Sequence, residues 1–175
     1  MALQLDAELL TEMFEHAERV YPEECCGLLL GQIQHHESRQ QEFGQSTTHK
    51  TVVELWETQN SWNAEAEESL AELASHAGHH SLTKSRRYWI DPQHMLDAQR
   101  YARDRQLDII GIYHSHPDHP AIPSECDRAA AWHQYSYMIV SVQHGKAKHV
   151  LSWTLDEENQ FQSEEIQAAT PLSIS

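Results

Sequence analysis

Cysteine is scarce in this 175-residue chain, and so is positive charge. The three cysteines are Cys25, Cys26 and Cys126. Two are adjacent and the number is odd, which argues against a disulfide framework. A reducing, cytoplasmic setting is expected. Lys and Arg number 12 against 27 Asp and Glu, a formal net charge of −15. Nucleic acids and anionic membranes are polyanions that need Lys/Arg neutralisation, so neither is expected as a partner. The opening stretch MALQLDAELL has no basic region and no long apolar run, so neither a signal peptide nor a transmembrane segment is expected. There is no Gly-x-Ser-x-Gly elbow, which disfavours nucleophilic serine chemistry, and no His-Glu-x-x-His pair. No internal repeat is visible, and oligomeric state is unreadable.

What is present is enough for one domain with a real core, since 39% of the residues are apolar. Residues 6–20 place Leu9, Leu10, Met13, Phe14, Ala17 and Val20 at helical spacing behind Asp6, a candidate N-cap, and Pro22 ends the helix. CGLLLGQI (26–33) and TVVELWE (51–57) read as strands. The stretch 58–85 is a polar, His- and Glu-rich insertion, expected to be a surface helix followed by a mobile loop. Its HAGHH reads as solvated rather than metal-binding. RRYWI (86–90) reads as a strand. Asp91-Pro92 then opens a helix through residue 106. DIIGIYHSH (108–116) has the apolar density of a central strand covered on both faces. A helix over 124–133, a strand over 135–142, a His144-Gly145 turn and a returning strand over 147–155 complete the pattern. The expectation is an α/β fold: a single domain over 1–160, a mixed β-sheet flanked by helices, and a C-terminal tail over 161–175.

The chemistry concentrates in HSHPDHP, residues 114–120. Strand side chains alternate, so His114 and His116 point to one face and Ser115 to the other. Two imidazoles at the C-terminal end of a central strand stand where ligand sites in α/β sheets favour. A catalytic Zn²⁺ takes three protein ligands and leaves a fourth position for water. Asp127 is one candidate third ligand. Taken alone, Ser124-x-x-Asp127 is a helix capping box, but a carboxylate a short loop from His-x-His favours the metal reading. Asp118 with His119 is the other candidate. His-x-His-x-Asp-His resembles the metallo-β-lactamase signature, and such a site would be dinuclear. Against it stand Pro120 directly after the motif, its late position in the chain, and His133, His144 and His149 without matching context. Glu24, at the rim of the apolar CGLLLG strand, is placed to be a carboxylate of raised pKa that relays protons, with Glu23 its competitor. The Ser124 hydroxyl is a candidate oxyanion donor.

Glu24, His114-Ser115-His116-Pro117, Ser124 and Asp127 at these spacings resemble the JAMM motif of the MPN+ (Mov34/PAD-1) zinc metalloproteases. PEECCGLLLG (22–31) is similar to the family's first motif, and YWIDP and DIIGIYHSHPDHPAIPS resemble its stand-alone bacterial branch. The likeness covers roughly residues 8–155, while 34–85 has no part that aligns. It implies a cytidine-deaminase-like (JAB1/MPN) architecture and one Zn²⁺ per chain held by His114, His116, Asp127 and water. Glu24 would be general base and acid, and Ser124 the oxyanion donor. The substrate class it implies is a peptide or isopeptide bond at the C-terminus of a ubiquitin-like or sulfur-carrier protein ending in Gly-Gly. Some relatives with this fold are non-catalytic scaffolding modules, but those usually lack the metal ligands. Cys126 could compete for zinc, but as a helix neighbour of Asp127 it diverges by about 100° and is expected to face the core. Cys25 and Cys26 are expected to be small buried residues.

Overall fold

The computed structural model describes residues 2–37, 46–63, 66, 68 and 83–168. Most of the insertion expected over 58–85, including HAGHH, lies outside the described residues. So does the end of the tail beyond residue 168. The elements bounded among the described residues are, in chain order, β1 (Ala2–Leu5), α1 (Ala7–Val20), β2 (Cys26–Glu37), β3 (Ser46–Thr58), α2 (Pro92–Asp104), β4 (Asp108–Pro117), α3 (Glu125–Ala129), β5 (Ser136–Gln143), β6 (Lys146–Leu155) and β7 (Phe161–Ala168).

The sheet is mixed, as expected, but it closes on itself. Its strand order is β1-β3-β2-β4-β5-β6-β7, and β7 pairs with β1 to complete a barrel. β1 runs parallel to both β3 and β7, and β4 runs parallel to β5; the other pairs are antiparallel. The closing strand overturns part of the expected tail. Residues 161–168 hold Ala2–Leu5 on one side and Ser152–Leu155 on the other.

Local physics accounts for each helix. Asp6 caps α1 by accepting from the Leu9 N–H at 2.8 Å. Its apolar stripe of Leu9, Met13 and Ala17 packs onto one face of the sheet against Leu29, Val52, Ile110, Tyr113 and Val140. Asp91 caps α2, with Pro92 in its first turn. Ala98 and Ala102 let α2 lie close on the opposite face, over Leu28, Leu30, Ile112 and Tyr137. α2 stops at Asp104 rather than residue 106. The Leu107 N–H returns to the Ala102 carbonyl at 2.9 Å, and Gln106 takes a left-handed φ of 58°. β4, covered on both faces, is buried from Ile110 to Pro117. Gly111 is required there, since a Cβ would lie 2.3 Å from the Ser136 carbonyl oxygen of the adjacent parallel strand.

Two further expectations are corrected. RRYWI is not a strand: residues 84–86 turn and 87–90 run on without ladder partners. The Arg87 carbonyl and the Trp89 N–H bond instead to the Asn60 side chain, and the Trp89 carbonyl accepts from the Ser61 N–H. The helix expected over 124–133 is a single short turn, Glu125–Ala129. It ends where the Ala130 and Ala131 amides fold back onto the Cys126 and Arg128 carbonyls.

Candidate metal and hydrolytic site

The site forms where β4 ends and α3 begins. Alternation puts Ile112, His114 and His116 on the α2 side of the sheet. Ser115 faces the other way, and its Oγ accepts from the Cys25 N–H at 2.9 Å. The Ser115 N–H in turn donates to the Cys25 carbonyl, and Cys26 pairs with His114. Glu24 lies just before this pairing, and its carboxyl is close enough to His116 and Asp127 for both charges to act on it.

Asp127 arrives from the first turn of α3. The capping box is present: Ser124 Oγ accepts from the Asp127 N–H at 3.2 Å, and the Ser124 N–H donates to Asp127 Oδ2 at 2.6 Å. The same carboxylate also faces the histidines, with Oδ1 3.5 Å from His114 Nε2 and Oδ2 3.8 Å from His116 Nε2. The two Nε2 atoms are 3.0 Å apart. Capping and ligation are thus compatible roles of one side chain, since the cap is what aims it.

These separations, 3.0, 3.5 and 3.8 Å, straddle the edges of a tetrahedral ion's ligand set. Zn²⁺ bonds of 2.0–2.2 Å give ligand–ligand edges of about 3.3–3.6 Å. His116 Nδ1 lies 2.8 Å from the Pro120 carbonyl, which only accepts. Nδ1 therefore carries the proton, leaving the neutral ring's lone pair on Nε2. The ring of His114 stacks on Tyr88, with centroids 4.5 Å apart. Two imidazole nitrogens and a carboxylate thus converge, an arrangement that needs a cation or a proton at its centre.

The electrostatics agree. Burial pushes His114 down to about 3, against the pull of Asp127, so it is neutral and able to ligate near neutrality. Burial also opposes charging His116, but the Asp127 carboxylate outweighs it and holds the ring above its ordinary value. For Asp127, burial is outweighed by the two histidines and a hydrogen bond from the Ser124 side chain, and its pKa falls below the usual carboxylate range. Glu24 goes the other way. Burial, opposed by the His116 charge, raises it to about 8.

Among the described residues the metal-capable cluster comprises His114, His116 and Asp127. Cys126 is not in it; that side chain packs, half-buried, by Trp62, Ala66 and Trp89. Asp118 is committed elsewhere, accepting from the Tyr21 hydroxyl and the His144 N–H, both at 2.8 Å. That leaves the dinuclear reading without its carboxylate. Cys25 and Cys26 are buried, and burial raises both thiols to about 12, so they are inert as nucleophiles.

One residue was missed by sequence reasoning. Asn60 is buried, and its Nδ2 donates to the carbonyls of Glu24 (3.0 Å) and Arg87 (2.9 Å) while its Oδ1 accepts from the Trp62 and Trp89 amides. The Glu24 N–H also bonds the Lys84 carbonyl at 2.7 Å. Asn60 therefore satisfies the backbone of 84–89 in place of a ladder, tying that segment to Glu24. An Asn after a strand gives no sequence signal beyond a turn.

The chain matches the family model of prokaryotic homologs of the JAB domain over residues 6–156, and it belongs to that family. Over 71 residues it is 35% identical to a desampylase of Haloferax volcanii, covering 40% of this chain and 50% of that protein. Over 72 residues it is 32% identical to a desampylase of Pyrococcus furiosus, covering 41% and 49%. The chain thus spans about half the length of the curated relatives it matches. In fold it is similar to the solution structure of protein DSY2949 from Desulfitobacterium hafniense, with a TM-score of 0.65 at 23% identity over 98% of this chain and 95% of that one. It is also similar to a protein from Salinibacter ruber, with a TM-score of 0.61 at 28% identity over 98% and 94%.

Proposed function

We propose that this chain is a zinc-dependent peptidase or isopeptidase that cuts at the C-terminus of a ubiquitin-like or sulfur-carrier protein. The observation that carries the reading is the convergence of His114 Nε2, His116 Nε2 and the Asp127 carboxylate within 3.0–3.8 Å of one another, close enough to Glu24 for their charges to act on it. Membership of the JAB family and the likeness to two desampylases support the substrate class.

His114, His116 and Asp127 would hold one Zn²⁺, leaving a fourth position for water. Zinc, when bound, supplies Lewis acidity that brings the pKa of a water to about 7 and polarises a carbonyl. Glu24 takes the proton from the attacking water and delivers it to the leaving nitrogen as the C–N bond breaks. A buried carboxyl held well above 4.5 is suited to both halves of that relay near neutral pH. Ser124 Oγ receives the Asp127 N–H on a lone pair, and its hydroxyl, which can also turn to the Asp127 carboxylate, is the donor assigned to the oxyanion.

Glu24→Gln tests the assignment. The variant should keep its zinc and lose about 10²–10⁴-fold in kcat on a Gly-Gly-linked carrier-protein conjugate, the range for one positioned acid–base group. Wild-type turnover by the variant would sink Glu24 as the base. A stably folded wild type that takes up no zinc and cuts nothing would favour the scaffolding module instead.

A further inference from the structure

Two arginines stand at this site in a chain of net charge −15. Arg86 and Arg87 lie on the segment anchored by Asn60 and line a cavity of about 230 Å³ together with His116, His119, Ile122 and Ser124. The cavity therefore opens directly beside a metal-ligand candidate and the oxyanion donor. Among the described residues neither guanidinium forms an ion pair with a carboxylate. Arg87 Nη1 donates to the Arg86 carbonyl at 2.7 Å, while its Nε is buried with no hydrogen-bond partner. A buried guanidinium N–H left unpaired is unfavourable unless an acceptor arrives. The cavity is also smaller than the 300–1,000 Å³ typical of drug-sized ligands, so it suits a small group.

We propose that Arg86 and Arg87 form a subsite for the free α-carboxylate of a short C-terminal extension on the carrier protein, so that the chain prefers to remove a terminal residue rather than to open a lysine isopeptide bond. The inference rests on the hydrolytic reading above. The Gly-Gly acyl side of the scissile bond carries no charge. The leaving side presents either a lysine side chain or a residue ending in a carboxylate, and only the carboxylate matches two guanidiniums, which bind such groups in bidentate fashion. The reaction is plain hydrolysis: one water is consumed, the Gly–X amide C–N bond breaks, hydroxide goes to the acyl carbon, and the proton goes to the departing amine.

The test uses the zinc-loaded chain and the host's own Gly-Gly carrier protein extended by one phenylalanine, as the free acid and as the carboxamide. A third substrate is the same carrier joined to a lysine side chain. The free acid should show a KM about 10–100-fold below the carboxamide, as expected for losing one or two charged hydrogen bonds, and be cut in preference to the isopeptide. In an Arg86→Gln/Arg87→Gln double variant the acid-to-amide ratio should collapse to within twofold. Calorimetric titration of acid and amide into both proteins, each also carrying Glu24→Gln to stop turnover, reads the same preference as binding and shows whether the double variant still folds and binds. If wild type cuts acid and amide equally, the subsite is refuted and the hydrolytic reading stands. If it cuts nothing yet binds the acid more tightly, with the preference lost in the double variant, the hydrolytic reading fails and the subsite stands.

Discussion

Glu24 and Asp127 are two carboxylates of one site, and their surroundings drive them apart. Asp127 is surrounded by two imidazoles and by the amide and side chain of Ser124, and stays ionised. Glu24, sealed by the strap over 84–89, is raised to about 8. Pairs of titratable groups separated in this way mark acid–base roles. A carboxyl whose folded-state pKa is raised stabilises the fold fully below its unfolded-state value and loses that contribution as pH rises through the folded value. In metal-free protein the Glu24 contribution should be complete below about 4.5 and gone above about 8. Glu24→Gln is neutral at every pH, so its melting temperature should gain on wild type between those limits. A difference that does not change with pH would contradict the burial of Glu24 in neutral form. The clustering of His114, His116 and Asp127 was legible because a two-residue alternation and a fixed offset to a helix start are local properties of the chain. Asn60 was not, because its role is to serve backbone groups 24–29 residues away on one side and 36 on the other.

The short helix α3 shows how an element can serve two purposes. Its capping box fixes Asp127 beside the two histidines, and the capping hydroxyl is also the proposed oxyanion donor. Ser124→Ala should therefore lower both stability, by about 1 kcal/mol, and kcat, by about 10²–10³-fold. Ser124→Gly, which costs only a few tenths of a kcal/mol at an N-cap, should lose the rate with little loss of stability. Thermal melts alongside kcat for both variants separate the two roles. If Ser124→Gly turned over at the wild-type rate, the oxyanion assignment would fail. Elements with strong local signals were placed well from sequence: the Asp6 and Asp91 caps, and the Ile-rich run of β4. The segment 86–90 was misread because Tyr, Trp and Ile favour strands, yet here Tyr88 stacks on His114 and Trp89 bonds Asn60 instead of pairing in a ladder.

At the scale of the whole molecule, closure of the barrel was the feature least visible in sequence. β1 has four residues, and FQSEEIQA is polar enough to pass for a tail. Their pairing is parallel and joins the two ends of the chain, a contact no local pattern announces. Ending the chain at residue 160 should therefore expose the Leu3 and Leu5 edge and the β6 ladder. Thermal unfolding should then show a large drop in melting temperature or no cooperative transition. An unchanged melt would restore the tail reading. The account as a whole depends on one cation held at the junction of β4 and α3, and zinc content per chain by native mass spectrometry reads it directly. The prediction is one zinc in wild type and in Glu24→Gln, and near zero in Asp127→Ala and His114→Ala, with all four proteins folded by circular dichroism. Two metals per wild-type chain, or one metal retained after loss of Asp127 or His114, would contradict it.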